Sequence, residues 1–274
     1  ILEASSHGLK QSRLDHLKFN CSIFTNLSRD HLDYHKTFKD YLNSKLKLFR
    51  LLTKKNATII FDNDLPTSKI LKQIGKSKKL KSVTIGVKNS DLNINKIYYR
   101  QGFLLVDFKY KKKNYLIKLK LIGKLQIKNL LMACLAAEKS GLKFSKIISN
   151  LHKIKPVEGR LQQINKIKNN SKVILDYAHT PDALKYTLES IKEQFRQSSI
   201  SIVFGCGGDR DKEKRSIMGK IANQYCNKIF LTDDNPRFEN PMKIRKEIKK
   251  KILRSKIVEI SSRKKAIKAA IENL

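Results

Sequence analysis

The stretch SISIVFGCGGDRDKEKRSIMGKIANQY, residues 199–225, decides the fold. A short β-branched and aromatic run ends in a cluster of glycines and gives way to a helical segment, which reads as strand, loop, helix. The same unit recurs on both sides. KVILDY (172–177) precedes PDALKYTLESIKEQF (181–195), KIFLTDD (228–234) precedes KIRKEIKKKIL (243–253), and IVEI (257–260) precedes a last helix. Such alternation predicts parallel strands joined by crossover helices, a Rossmann-like doubly wound sheet that binds ligands at the carboxyl ends of its strands.

The polar clusters fall at those ends: LDYAHTPDAL, GCGGDRDKEKR and TDDNPRFENP. Each alone has an ordinary reading, for example Thr180 and Pro181 as a helix cap followed by a first-turn proline. Three at successive strand ends point to a site. The glycine cluster lacks the G-x-x-x-x-G-K-[ST] spacing of a phosphate loop and the full G-x-G-x-x-G of a dinucleotide fold. Arg210 and Arg237 are planar forked donors on these loops, suited to gripping a carboxylate through two hydrogen bonds.

Upstream, CSIFTNL (21–27), ATIIFDN (57–63) and SVTIGV (82–87) read as strands, while KIYYR (96–100), FLLVDFKY (103–110) and YLIKLKL (115–121) alternate across short turns and predict an antiparallel appendage. TFKDYLNSKLKLFRLL (37–52) and NLLMACLAAEKSG (129–141) carry helical spacing, the second ending at Gly141. KPVEGR (155–160) is the linker candidate, giving an α/β protein of two domains, residues 1–156 and 157–274. TNLSRDHLDYH (25–35) places His31 and His35 four apart, a spacing open to a metal site, a catalytic base, or a helix start capped by Ser28 or Asp30. The H-E-x-x-H pattern is absent, which disfavours a zinc hydrolase.

The 274 residues suffice for two cores, and no apolar run approaches the roughly 20 residues of a membrane span. We expect a soluble, cytoplasmic monomer with no membrane insertion. Four scattered cysteines without a C-x-x-C pair argue for reduced thiols. The formal charge of +35 is spread as lysine over nearly every segment and comes with no nucleic-acid motif, so we expect attraction of anionic small molecules and no nucleic-acid partner. The chain starts at Ile1 as if partway through a strand and stops after an uncapped amphipathic helix, as expected of a piece of a longer protein.

Taken together, EASSHGLKQSR, FTNLSRDHLDYH, YLNSKLKLF, EGRLQ, ILDYAHTPDAL, GCGGDRDKEKR and TDDNPRFENP resemble the Mur ligase family, in the family's order from residue 3 to about residue 241. The resemblance implies a partial central ATPase domain followed by the C-terminal amino-acid-binding domain. It also implies ATP-dependent ligation: a carboxylate of UDP-N-acetylmuramoyl-L-alanyl-D-glutamate becomes an acyl phosphate, and the amine of an added amino acid displaces the phosphate. On that resemblance, His31 holds one Mg²⁺ and Glu3 the other, and Lys45 is the lysine whose carbamate offers hard oxygen ligands; His35 is structural. Ser5, Gln11 and Arg13 contact the UDP-muramoyl substrate. Asn129, Arg160, Asp176 and His179 bind ATP across the domain junction, and Lys45, His31 and Arg160 serve the chemistry. Asp234, Asn235 and Arg237, with Arg210, form a pocket selecting meso-2,6-diaminopimelate over L-lysine, which lacks the distal carboxylate. The family's phosphate loop and G-K-G-H-E segment do not occur in this sequence, so the piece by itself is expected to be inactive. A lysine-adding ligase and a folate-glutamate ligase are the neighbouring alternatives, and a basic nucleic-acid-binding module is the alternative from another class.

Overall fold

The computed structural model describes residues 1–28, 30–164 and 171–274, with backbone alone at residues 32 and 33. Arg29 and the Asp33 side chain, both within the histidine motif, therefore lie outside the described residues. The chain divides into two compact units, Ile1–Lys155 and Pro156–Leu274.

In the first unit, β1 (Phe19–Phe24), β2 (Thr53–Asp62), β3 (Lys81–Gly86), β4 (Leu92–Arg100), β5 (Phe103–Tyr110) and β6 (Lys113–Leu119) form one sheet in sequence order. Pairing is parallel from β1 to β4 and antiparallel from β4 to β6. The burial pattern shows why. Ile59, Ile60 and Phe61 of β2 are fully buried in succession, as a parallel strand covered on both faces requires. Ile60 enters one core with Leu131 and Leu135 of the helix Lys124–Lys139, while Ile59 and Phe61 enter the other with Leu46, Phe49 and Leu71. In β5 every second residue, Leu104, Val106, Phe108 and Tyr110, points inward, the period of a strand with one wet face.

Six helices accompany this sheet among the described residues: α1 (Ser6–Lys10), α2 (Leu32–His35), α3 (Phe38–Lys47), α4 (Ser68–Ser77), α5 (Lys124–Lys139) and α6 (Phe144–Ser149). The segment read as one helix over 37–52 starts at a Thr37 cap, runs as α3, and ends in a π-helical turn, Leu48–Leu52, that buries Phe49 and Leu52. Helix α5 stops as expected, with Gly141 at φ +103°.

The second unit holds β7 (Gln162–Ile164), β8 (Val173–Leu175), β9 (Ser201–Phe204), β10 (Lys228–Leu231) and β11 (Ile257–Glu259), with α7 (Pro181–Gln194), α8 (Glu213–Tyr225), α9 (Pro241–Lys249) and α10 (Arg263–Glu272). The parallel sheet has the order β11-β10-β9. KVILDY does not join it: β8 pairs antiparallel with β7. An apolar V-I-L run looks alike in a buried parallel strand and in a hairpin, but here Leu175 is 49% exposed. Thr180 caps α7 as expected, accepting from the Ala183 N–H at 3.3 Å with Pro181 in the first turn.

Candidate active site

In the first unit the EASS, HLDYH and NSKLK segments meet through α1, α2 and α3. Ser5 caps α1 by accepting from the Gly8 N–H at 3.1 Å, Glu3 is exposed just before it, and Gln11 and Arg13 are exposed just after it. His31 sits ahead of α2 in the left-handed region at φ 55°, and neither Ser28 nor Asp30 supplies a side-chain cap; instead Asp30 Oδ1 accepts from the His31 N–H at 2.7 Å. The two histidines consequently do not share a helical face. His31 is half-exposed and lies edge-on to His7, whereas His35 is fully buried, with Nε2 2.9 Å from Ser6 Oγ. Burial holds the His35 imidazole below its usual range against the opposing Asp40 carboxylate, so it serves as a neutral structural bridge from α1 to α3.

Lys45 lies one turn beyond Tyr41 on α3. Its Nζ donates to the Asn26 carbonyl at 3.0 Å and stands over the rings of Phe24 and Tyr41, 5.6 and 5.2 Å from their centroids. Burial pulls this ammonium below the usual lysine range, and the Asp30 and Glu3 carboxylates oppose the shift only in part. A larger neutral fraction makes the amine a better nucleophile. Among the described residues no three His, Cys, Asp or Glu side chains are grouped to hold a metal. Glu3, His31 and Lys45 nevertheless suit Mg²⁺ chemically once Lys45 carries a carboxyl group, because two carboxylates and one imidazole are then available.

The nucleotide candidates are divided between the units. Asn129 on α5 has a buried Oδ1 with no hydrogen-bond partner, an acceptor that an adenine amino group would satisfy. The preceding residue, Lys128, donates to Asp62 at 2.6 Å and Asp64 at 3.0 Å and thereby anchors the start of α5 to the end of β2. In the second unit Asp176 accepts from the Leu161 N–H, the Ala178 N–H and Thr187 Oγ1 at 2.7, 2.9 and 2.9 Å. Those bonds tie the β7–β8 hairpin to α7 and leave one of about four acceptor positions, on Oδ2, for a ribose hydroxyl. Arg160 lies over the exposed Tyr177 ring, and His179 meets the same ring edge-on.

The loops after β9 and β10 are pressed together. A Cβ on Gly208 would come within 1.9 Å of the Pro236 carbonyl oxygen, and one on Gly205 within 2.3 Å of the Thr232 oxygen. The glycines therefore admit the second loop's backbone. Gly208 N–H donates to the Asn235 carbonyl at 2.9 Å, Arg237 donates to the Gly208 carbonyl, and Phe238 N–H donates to Asp209 at 3.0 Å. Arg210, Asp234, Asn235 and Arg237 are all exposed at this edge of the unit. Asp234 takes the Asn235 N–H, and Asn235 Oδ1 takes the Arg237 N–H.

Beneath lies a network absent from the motif reading. Arg215 is fully buried and grips Glu239 with two hydrogen bonds of 2.9 and 2.7 Å, adding Glu247 at 2.8 Å. The guanidinium holds Glu239 far below the usual carboxylate range, at about 2. Both residues stood inside quoted motifs, but a contact across 24 positions has no local signature.

Two family models match the chain: the Mur ligase middle domain over residues 1–137 and the Mur ligase, glutamate ligase domain over residues 159–274. The UDP-N-acetylmuramoyl-L-alanyl-D-glutamate--2,6-diaminopimelate ligase of Rickettsia conorii is 41% identical over 275 residues, covering 100% of this chain and 56% of that protein. A solved structure of a ligase with the same name matches at 32% identity and a TM-score of 0.65, over 100% of this chain and 56% of the other. Mycobacterium tuberculosis folylpolyglutamate synthase, solved with ADP and AMPPCP, matches at a TM-score of 0.78 but 15% identity, over 94% and 58%, and so speaks for the fold alone. The chain spans little more than half the length of these relatives. With both family domains matched in order, it belongs to the Mur ligase family.

Proposed function

We propose that the whole protein is an ATP-dependent ligase that adds meso-2,6-diaminopimelate to UDP-N-acetylmuramoyl-L-alanyl-D-glutamate in the cytoplasm, as a step of peptidoglycan precursor synthesis. The observation that carries this reading is the packing of the GCGGDR and DNPR loops, on a chain 41% identical along its whole length to ligases of that name.

The D-glutamyl carboxylate attacks the γ-phosphorus of ATP, ADP leaves, and the amine of diaminopimelate then displaces phosphate from the acyl phosphate. The chain's part is charge management. Asn129, Arg160, Asp176 and His179 bind ATP; Ser5, Gln11 and Arg13 bind the UDP-muramoyl dipeptide. Glu3, His31 and the Lys45 carbamate hold Mg²⁺, which supplies neutralisation of the phosphate oxygens. The depressed Lys45 ammonium favours carbamate formation, since the neutral amine is the form that attacks carbon dioxide. Arg210 and Arg237 take the distal carboxylate, with Asp234 and Asn235 shaping the approach. Lysine in that pocket would leave the arginines facing a cation, the physical basis of discrimination.

The test measures phosphate release by the full-length protein given Mg²⁺, ATP and the UDP-muramoyl dipeptide. Release with meso-diaminopimelate and not with L-lysine is the expected result. Release with lysine overturns the specificity, and release with neither overturns the ligase reading.

A further inference from the structure

We propose that Arg215, through Glu239 and Glu247, is a positioning residue for amino-acid selection: it locks the two strand-end loops in the register that presents Arg210 and Arg237 to the distal carboxylate. The proposal rests on the functional reading above.

Arg215 opens the path into the pocket without reaching it. Its Nη2 donates to the Gly207 carbonyl at 3.3 Å, and the next residue, Gly208, is joined through its N–H to Asn235 and through its carbonyl to Arg237. Glu239, at the far end of the second loop, accepts from Arg215 and also from the Asp209 N–H of the first loop at 2.6 Å. One buried guanidinium thus fixes both ends of the contact, and Glu247 adds the first helix beyond it, α9.

The backbone between these anchors is strained. Asp209 and Arg237 both occupy the left-handed region, at φ 48° each. Non-glycine residues stay there only when surrounding contacts hold them. Here Glu239 holds Asp209 through its N–H, while Arg237 is held by Asn235 and by Gly208, the residue after the Gly207 that Arg215 grips. Once the clamp is released, the two residues can return to ordinary backbone conformations, turning Arg237 away from Gly208. A residue that only filled space would have no such effect, since buried ion pairs are commonly replaceable by apolar side chains of similar volume.

Glu239→Gln and Arg215→Lys in the full-length protein test this, with KM measured separately for diaminopimelate, ATP and the UDP-muramoyl dipeptide. The expected result is a rise of about 10-fold in KM for diaminopimelate, with the other two KM values within about 2-fold, and a similar fall in preference over L-lysine. Glu239→Asp should recover part of the loss. The triple variant Arg215→Met, Glu239→Leu, Glu247→Gln fills the space without leaving an unpaired carboxylate, covers the case in which the single variants unfold, and should show the same KM rise. A lowered Tm with unchanged KM and unchanged preference, in these variants or in the triple variant, overturns the proposal. Wild type that prefers lysine overturns the functional reading, and this proposal with it.

Discussion

Lys45 and Arg215 are both cations drawn away from water, one in each unit, and their surroundings treat them in opposite ways. Lys45 meets a carbonyl, two aromatic faces and carboxylates acting only at a distance, so burial prevails and its ammonium is weakened. Arg215 meets two carboxylates at hydrogen-bond distance, and its charge is reinforced beyond the usual arginine range. The difference teaches what each is for. A lysine without a carboxylate at hydrogen-bond distance is suited to chemistry, whereas an arginine gripped by two carboxylates holds a shape.

Substitutions at the two positions should accordingly separate activity from stability. Lys45→Met is expected to lower ATP-dependent phosphate release by the full-length protein about 1000-fold, because the charge-screening set at the transferring phosphate is lost, while urea unfolding shows stability unchanged or slightly raised. Arg215→Ala should do the reverse in unfolding, costing about 3 kcal/mol by leaving Glu239 and Glu247 without their cation. A Lys45→Met protein that unfolds early, or an Arg215→Ala protein as stable as wild type, would break the contrast.

Gly208→Ala sharpens it from the backbone side. The new methyl must displace the Pro236 carbonyl, an overpacking cost of about 2 kcal/mol, and thermal unfolding should show it together with weaker diaminopimelate binding. The acid limb of stability should carry the signature of Glu239. Its folded pKa of about 2 lies below the ordinary glutamate value of 4.5, so the folded state binds fewer protons than the unfolded one between those values. The stabilisation is therefore present above about 4.5 and disappears as pH falls towards 2. Glu239→Gln should flatten stability over that window, and an unaltered slope would mean that the Arg215 pair contributes nothing measurable.

Local pattern carried much of the fold. Strand β5 was legible residue for residue because its period of two and its flanking turns agree, and α7 because Thr180, Pro181 and the helical spacing reinforce one another. β8 misled, since the sequence around 172–177 does not reveal that its partner is the short polar QQI strand rather than β9. At the candidate site, the positions of Lys45 on its helix and Arg237 on its strand-end loop were readable but their surroundings were not, and His31 stands ahead of its helix rather than on a face shared with His35. Tyr41 stands at helical spacing from Lys45, but the Phe24 ring over Lys45 and the Glu239 carboxylate across from Arg215 come from distant parts of the chain and leave no periodicity to detect.

Asn129 gives the smallest effect and the cleanest separation. Its Oδ1 is buried without a partner, so the folded chain already bears the desolvation cost of that oxygen. Asn129→Ala removes the cost together with the side chain, and unfolding stability should stay within about 0.5 kcal/mol of wild type or rise. If the oxygen waits for the adenine amino group, the same change should weaken ATP binding about 5-fold, a loss of roughly 1 kcal/mol, measured by calorimetry on the full-length protein. It should leave binding of a triphosphate without a base unchanged. Equal loss for both ligands would place the effect at the phosphates, and destabilisation without any loss of ATP affinity would make Asn129 a packing residue of α5 instead.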